Sequence, residues 1–126
     1  MPFTQTVQDE FLNVLRGTNI TAPTALSAAL FTSGGEVSAG NGYERKTGIT
    51  FDAPATVDGN RVVAVAADHE FAEPTGAWGT ITEVRFVDGA SKVWAQVTLD
   101  TPIEITGASD VFRLKAGTAV GFSPPA

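Results

Sequence analysis

His69 is the only histidine in the 126-residue chain, and it lies between two carboxylates, Asp68 and Glu70. A hydrolytic relay needs a histidine between a hydroxyl nucleophile and an orienting acid. Neighbours along a strand point to opposite faces, so Asp68 and Glu70 cannot both serve that relay. No Gly-x-Ser-x-Gly turn is present to expose a serine. Sugar cleavage would need two carboxyl groups roughly 5–10 Å apart across a glycosidic bond. Glu70 with Glu73, or Glu83 with Glu104, are the pairs to consider, and both read as solvated surface charge. The chain has no cysteine, which together with a single histidine removes the usual zinc sets. Acidic spacing of the EF-hand kind is also missing. Asp52, Asp58, Asp88, Asp100 and Asp110 all sit beside expected turns, where aspartate bonds its local backbone. The expectation is therefore no catalytic residue, no metal and no cofactor.

Two glycine clusters, Gly34-Gly35 and Gly40-Asn41-Gly42, could in principle cradle a phosphate. A phosphate loop requires Gly-Lys-Ser/Thr opening a helix, whereas Tyr43-Glu44-Arg45 leads into an expected strand. Residues 34–42 thus read as a glycine-rich loop. Trp78 and Trp94 read first as core or cross-strand packing, with Trp94 also a candidate contact residue.

The elements that must position these groups follow from periodicity. Val7, Phe11, Val14 and Leu15 recur at helical spacing. Thr6 and Asp9 form a weak capping box, and Gly17 follows as a stop. The pattern predicts one helix over about residues 6–16, too short to stand alone. Strands are predicted over about residues 26–32, 44–51, 61–67, 68–71, 78–87, 92–99, 103–105, 111–114 and 118–122. Within 44–51, Ile49 and Phe51 share one face. Within 78–87, Trp78, Thr80, Thr82, Val84 and Phe86 alternate with Gly79, Ile81, Glu83, Arg85 and Val87, so one face is expected to be buried and the other mixed. Asp88-Gly89 is the strongest hairpin signal, and Asp58-Gly59-Asn60 and residues 107–110 mark further turns. The tail Ser123-Pro124-Pro125-Ala126 cannot continue a strand and reads as an exposed end. The fold class expected is mainly β: an antiparallel, jelly-roll-like β-sandwich with one short N-terminal helix, in a single domain spanning 1–126.

Hydrophobic residues make up 43% of the chain and charged residues 17%, a globular rather than disordered balance. Eight basic residues against 14 acidic ones give a net charge of −6. The basic residues are scattered, so no nucleic-acid footprint forms. No apolar run approaches the ~20 residues that cross a bilayer, and no secretory leader is visible.

Several short motifs recur in order: Leu30-Phe31-Thr32-Ser33, Gly35-Glu36-Val37-Ser38, Gly42-Tyr43-Glu44-Arg45, Phe51-Asp52-Ala53-Pro54 and Trp78-Gly79-Thr80-Ile81-Thr82. With the late Leu99-Asp100-Thr101-Pro102 segment, they resemble a family of small bacteriophage structural proteins labelled as tail-fibre proteins. The resemblance covers about residues 8–122. It departs at Glu83, where the family often has histidine, and at Ser109-Asp110, where the family has Gly-Asp.

That resemblance implies a non-enzymatic virion structural protein, made in the bacterial cytoplasm and working through subunit contacts. Placement as an accessory tail or fibre component and placement as a head decoration protein both stay open. The expected partners are other virion proteins and copies of the chain itself, with a trimer the favoured state. A host-surface module binding glycan or protein is the alternative. The candidate interface residues are Phe11, Leu15, Tyr43 and Trp94, with Phe11 and Leu15 as anchors at the base.

Overall fold

The computed structural model describes residues 3–122. Helix α1 runs Gln5–Val14 and is capped by Thr4, not by Thr6. The Thr4 backbone is extended (φ −64°, ψ 159°), and its hydroxyl accepts from the Val7 N–H and donates to the Val93 carbonyl at 3.0 Å. Phe3 has already paired with Ala95, so the sheet edge fixes where the helix starts. At the other end Thr18 donates to the Asn13 carbonyl (3.1 Å) and Gly17 to that of Val14 (3.0 Å). This double closure needs a left-handed residue, and Gly17 supplies it at φ +85°.

The predicted inward stripe holds for half its length. Val7 is fully buried, and Phe11 is half-buried with its ring 5.2 Å from Phe3 and 5.9 Å from Phe122. Val14 and Leu15 are exposed instead. Among the described residues, the hydrogen bonds, ion pair and ring contacts holding the helix to the sheets come from residues 3–11. The last turn carries its apolar side chains past that contact.

Among the described residues nine strands follow: β1 Ser27–Thr32, β2 Gly35–Glu36, β3 Ala55–Val57, β4 Asn60–Ala64, β5 His69–Glu70, β6 Gly79–Val87, β7 Val93–Ile105, β8 Arg113–Leu114 and β9 Ala119–Phe122. They form a four-stranded sheet in the order β2-β1-β6-β7, a three-stranded sheet β3-β4-β9 and a pair β5-β8. Every pairing is antiparallel. One hydrophobic cluster joins Leu30, Ile81, Val84 and Phe86 of the large sheet to Val120 of β9 and to Leu114 of β8. Phe51 meets Phe86 edge to face at 5.3 Å. The chain is therefore mainly β, sandwich-like, with one short helix at an edge.

Four stretches depart from the sequence pattern. Residues 44–51 are extended but form no strand; Lys46 and Phe51 make single bridges to Ala28 and Val65. Gly48 at φ +73° breaks the run between them. The 34–42 loop is partly a strand, because Gly35–Glu36 folds back on β1. β3 was hidden: its three residues are all exposed, and Asp58 and Gly59, both at positive φ, turn it into β4.

The fourth departure is a register shift. Ile81 pairs with Ile103 but Glu83 pairs with Thr98, so Thr82 alone stands opposite residues 99–102. This irregularity fuses 92–99 and 103–105 into one strand, with Pro102 inside it. Burial along this stretch does not alternate strictly: Trp78, Ile81, Val84, Phe86 and Val87 are all buried. The expected exposed end, 123–126, lies outside the described residues.

Candidate interaction site

Tyr43 follows Gly42, whose left-handed backbone (φ +80°) lets the chain pass close to the Glu73 carbonyl. That turn aims the tyrosine inward, where it is 5% exposed and edge-on to Trp78 at 5.4 Å. Its hydroxyl donates to Glu36 Oε2 (2.7 Å) and accepts the buried Leu30 N–H (3.0 Å). Arg45 grips the same carboxylate through Nε and Nη2, both at 2.9 Å, and reaches Ser91 Oγ at 3.1 Å. Trp78 closes the group by donating its indole N–H to the Asn41 carbonyl (2.8 Å).

The charges of this clamp are locked. The Arg45 hydrogen bonds hold the Glu36 carboxyl below its ordinary value, with burial opposing and Tyr43 assisting. Burial, and then the Glu36 carboxylate, push the Tyr43 hydroxyl well above its ordinary value. Glu36 in turn raises Arg45. At neutral pH Glu36 is therefore ionised and Tyr43 neutral, an arrangement that ties residues 36–45 to β1 and leaves no group poised to exchange a proton.

Trp94 is placed equally firmly. It is 8% exposed, donates its indole N–H to Asp88 Oδ2 (3.0 Å) and lies 4.3 Å beneath the Lys92 ammonium. Asp88 Oδ1 accepts the N–H groups of Ala90 (2.9 Å) and Lys92 (3.0 Å), so one carboxylate closes the β6–β7 hairpin. The Trp94 hydrogen bond is the main reason its carboxyl titrates low. Lys92 also pairs with Glu10 of α1.

The four expected contact residues thus separate. Tyr43 and Trp94 are enclosed within the subunit. Phe11 sits half-buried in the Phe3–Phe122 aromatic group. Leu15 is 87% exposed, beside Leu12 at 63% and Val14 at 48%. Leu12 was overlooked because it falls off the Val7–Phe11 stripe. The signal was its own spacing: Leu12 and Leu15 stand three apart, which makes a second apolar stripe on the helix.

His69 gathers no relay. Asp68 accepts the Ala116 N–H (2.7 Å), and Glu70 pairs with Arg113 (2.9 Å). Among the described residues no three His, Asp or Glu side chains converge to hold a metal ion.

No curated protein and no solved structure matches the chain. A family model described as "Podophage GP4 fiber I protein gp80" matches residues 2–121. The match starts ahead of α1 and reaches into β9, covering the clamp, the hairpin and the helix alike, and so the chain belongs to this family of phage fibre proteins.

Proposed function

We propose that the chain is a non-enzymatic structural subunit of a phage virion, an accessory component of the tail-fibre apparatus that acts by surface contact. The observation that carries this reading is the uncovered apolar end of α1, Leu12, Val14 and Leu15. Tyr43 and Trp94 are enclosed within the subunit, and the other exposed large apolar side chains, Val57, Ile103 and Phe122, lie on three different strands, whereas the helix end gathers three together. The fibre family favours the tail over head decoration.

The occupant of this patch is a second copy of the chain. Fully burying a leucine contributes about 1.5–3 kcal/mol. Three side chains cover far less than the ~1,200–2,000 Å² of a stable interface. Repetition about a rotation axis multiplies the same small patch, and a cyclic trimer joins three helix ends at once. Phe11, wedged between Phe3 and Phe122, braces the helix from behind.

Light scattering of the wild type and of Leu12→Ser combined with Leu15→Ser tests the proposal. The wild type should be oligomeric at micromolar concentration, and the double variant monomeric with its sheet signature intact. A monomeric wild type, or a variant of unchanged mass, would refute the assignment. Host-surface binding through an aromatic platform would need Tyr43 or Trp94 on the outside, and both are enclosed.

A further inference from the structure

A cleft of about 270 Å³ separates two extended segments, residues 44–47 and residues 70–72. One wall is an irregular segment bridged to β1 at Lys46, and the other is β5 and the two residues after it. On one side Lys46 commits both backbone groups to Ala28, at 3.0 and 2.8 Å. Antiparallel alternation then turns the N–H and C=O groups of Arg45 and Thr47 away from β1, toward the cleft. On the other side Phe71 donates to Phe112 (2.9 Å), which makes Glu70–Arg113 the non-bonded pair of that ladder. The backbone groups of Glu70 are accordingly turned away from β8. Arg45, Thr47 and Glu70 take no backbone partner across the cleft among the described residues.

We infer that this cleft is a strand-docking slot, filled by an extended segment of a different protein chain in the particle. The backbone groups of Arg45 and Thr47 on one wall and of Glu70 on the other are recognised by one chemistry, another peptide backbone in extended conformation. Such a segment would bridge the large sheet to the β5–β8 pair. The rim adds charge complementarity: Lys46 and Glu44 form no ion pair among the described residues, while Arg45 and Glu70 are held by Glu36 and Arg113. A segment carrying one acid and one base two residues apart on one face fits that rim. A second copy is a poor donor. Among its described edge strands, β2, β3, β5, β8 and β9 are two to four residues long, and β7 is covered at Ala95 by Phe3 and irregular over 99–102. The slot does not depend on the helix-end trimer, and its test reads different residues.

The probe is an acetylated, amidated peptide, Thr-Val-Glu-Val-Lys-Val-Thr, titrated into the full ¹⁵N-labelled chain. The amide signals of Arg45, Thr47 and Glu70 should move together and saturate with a Kd of about 1 mM, ordinary for a short backbone-only contact. Methylating alternate backbone nitrogens of the peptide should weaken binding about tenfold or more, one to two hydrogen bonds' worth. Thr47→Pro, which removes one slot donor at an exposed position after an extended residue, should do the same, and Thr47→Val should not. The methylated peptide keeps the test decisive if Thr47→Pro fails to fold. Shifts elsewhere, no shifts, or equal binding of the methylated peptide would overturn the inference. So would slot amides that become protected with rising protein concentration in the absence of peptide, since that would assign the slot to a second copy.

Discussion

Replacing Tyr43 with Phe removes one oxygen and leaves the ring that packs on Trp78. The oxygen matters because the Leu30 N–H has no other acceptor: at this point of β1 the hydroxyl stands where a strand neighbour's carbonyl would be. Leu30 is fully buried, so water cannot replace the lost partner. An orphaned buried N–H costs about 1–3 kcal/mol. Glu36 also loses a donor, but Arg45 still holds it and its side chain retains 26% exposure, so that part adds well under about 1 kcal/mol. The expected loss is about 2–3 kcal/mol, which for a chain of this length lowers Tm by roughly 8–12 °C. Thermal unfolding followed by circular dichroism at neutral pH measures it. A variant melting within about 2 °C of wild type, under about 0.5 kcal/mol, would show that the hydroxyl does not substitute for a strand partner.

Other consequences follow from the same contacts. The Glu36 carboxyl titrates below its ordinary value of 4.5, so its contribution is present above that value and is lost as pH falls through the lower folded-state value. Unfolding curves of wild type and Glu36→Gln should converge on acidification, and a constant gap from neutral pH down to pH about 3 would contradict the clamp. In Gly121→Ala, the new Cβ would meet the Arg61 carbonyl and lie 2.6 Å from Val62 Cγ1. That overlap should cost roughly 3 kcal/mol, read as a lower urea midpoint, because the paired strand β4 must move. Phe11→Ala should cost about 1.5–3 kcal/mol locally: amide exchange in α1 accelerates about tenfold or more while β1 and β6 stay protected. Uniform acceleration across the chain would mean that the helix and sheets unfold as one unit.

Local chemistry was readable where it decided the outcome. Asp88-Gly89 and the runs on either side of it gave the β6–β7 hairpin, because turn geometry and alternation are short-range. Helix α1 was readable for the same reason, although its start was set by Phe3 pairing with distant Ala95. The failures share a long-range cause. Alternation over 78–87 gave one buried and one mixed face, and the irregular pairing between Ile81 and Glu83, which lets residues of both sets be buried, depends on a distant strand. Gly48 marked a possible break in 44–51, yet the extended pattern around it looked continuous. Tyr43 and Trp94 carry polar atoms that suit a surface contact; their burial depends on Glu36 and Asp88 reaching them. Leu15 matched the inward stripe, and the point at which the sheets stop supporting the helix turned it outward.

A thirteen-residue edge strand such as β7 offers any neighbouring copy of the chain a template for runaway fibrillation. Phe3 covers one end of that margin by pairing with Ala95, and the kinked 99–102 stretch with its proline denies a regular ladder to the other. The long strand is thus blunted against sideways zipping, so that close packing of many copies need not end in aggregation.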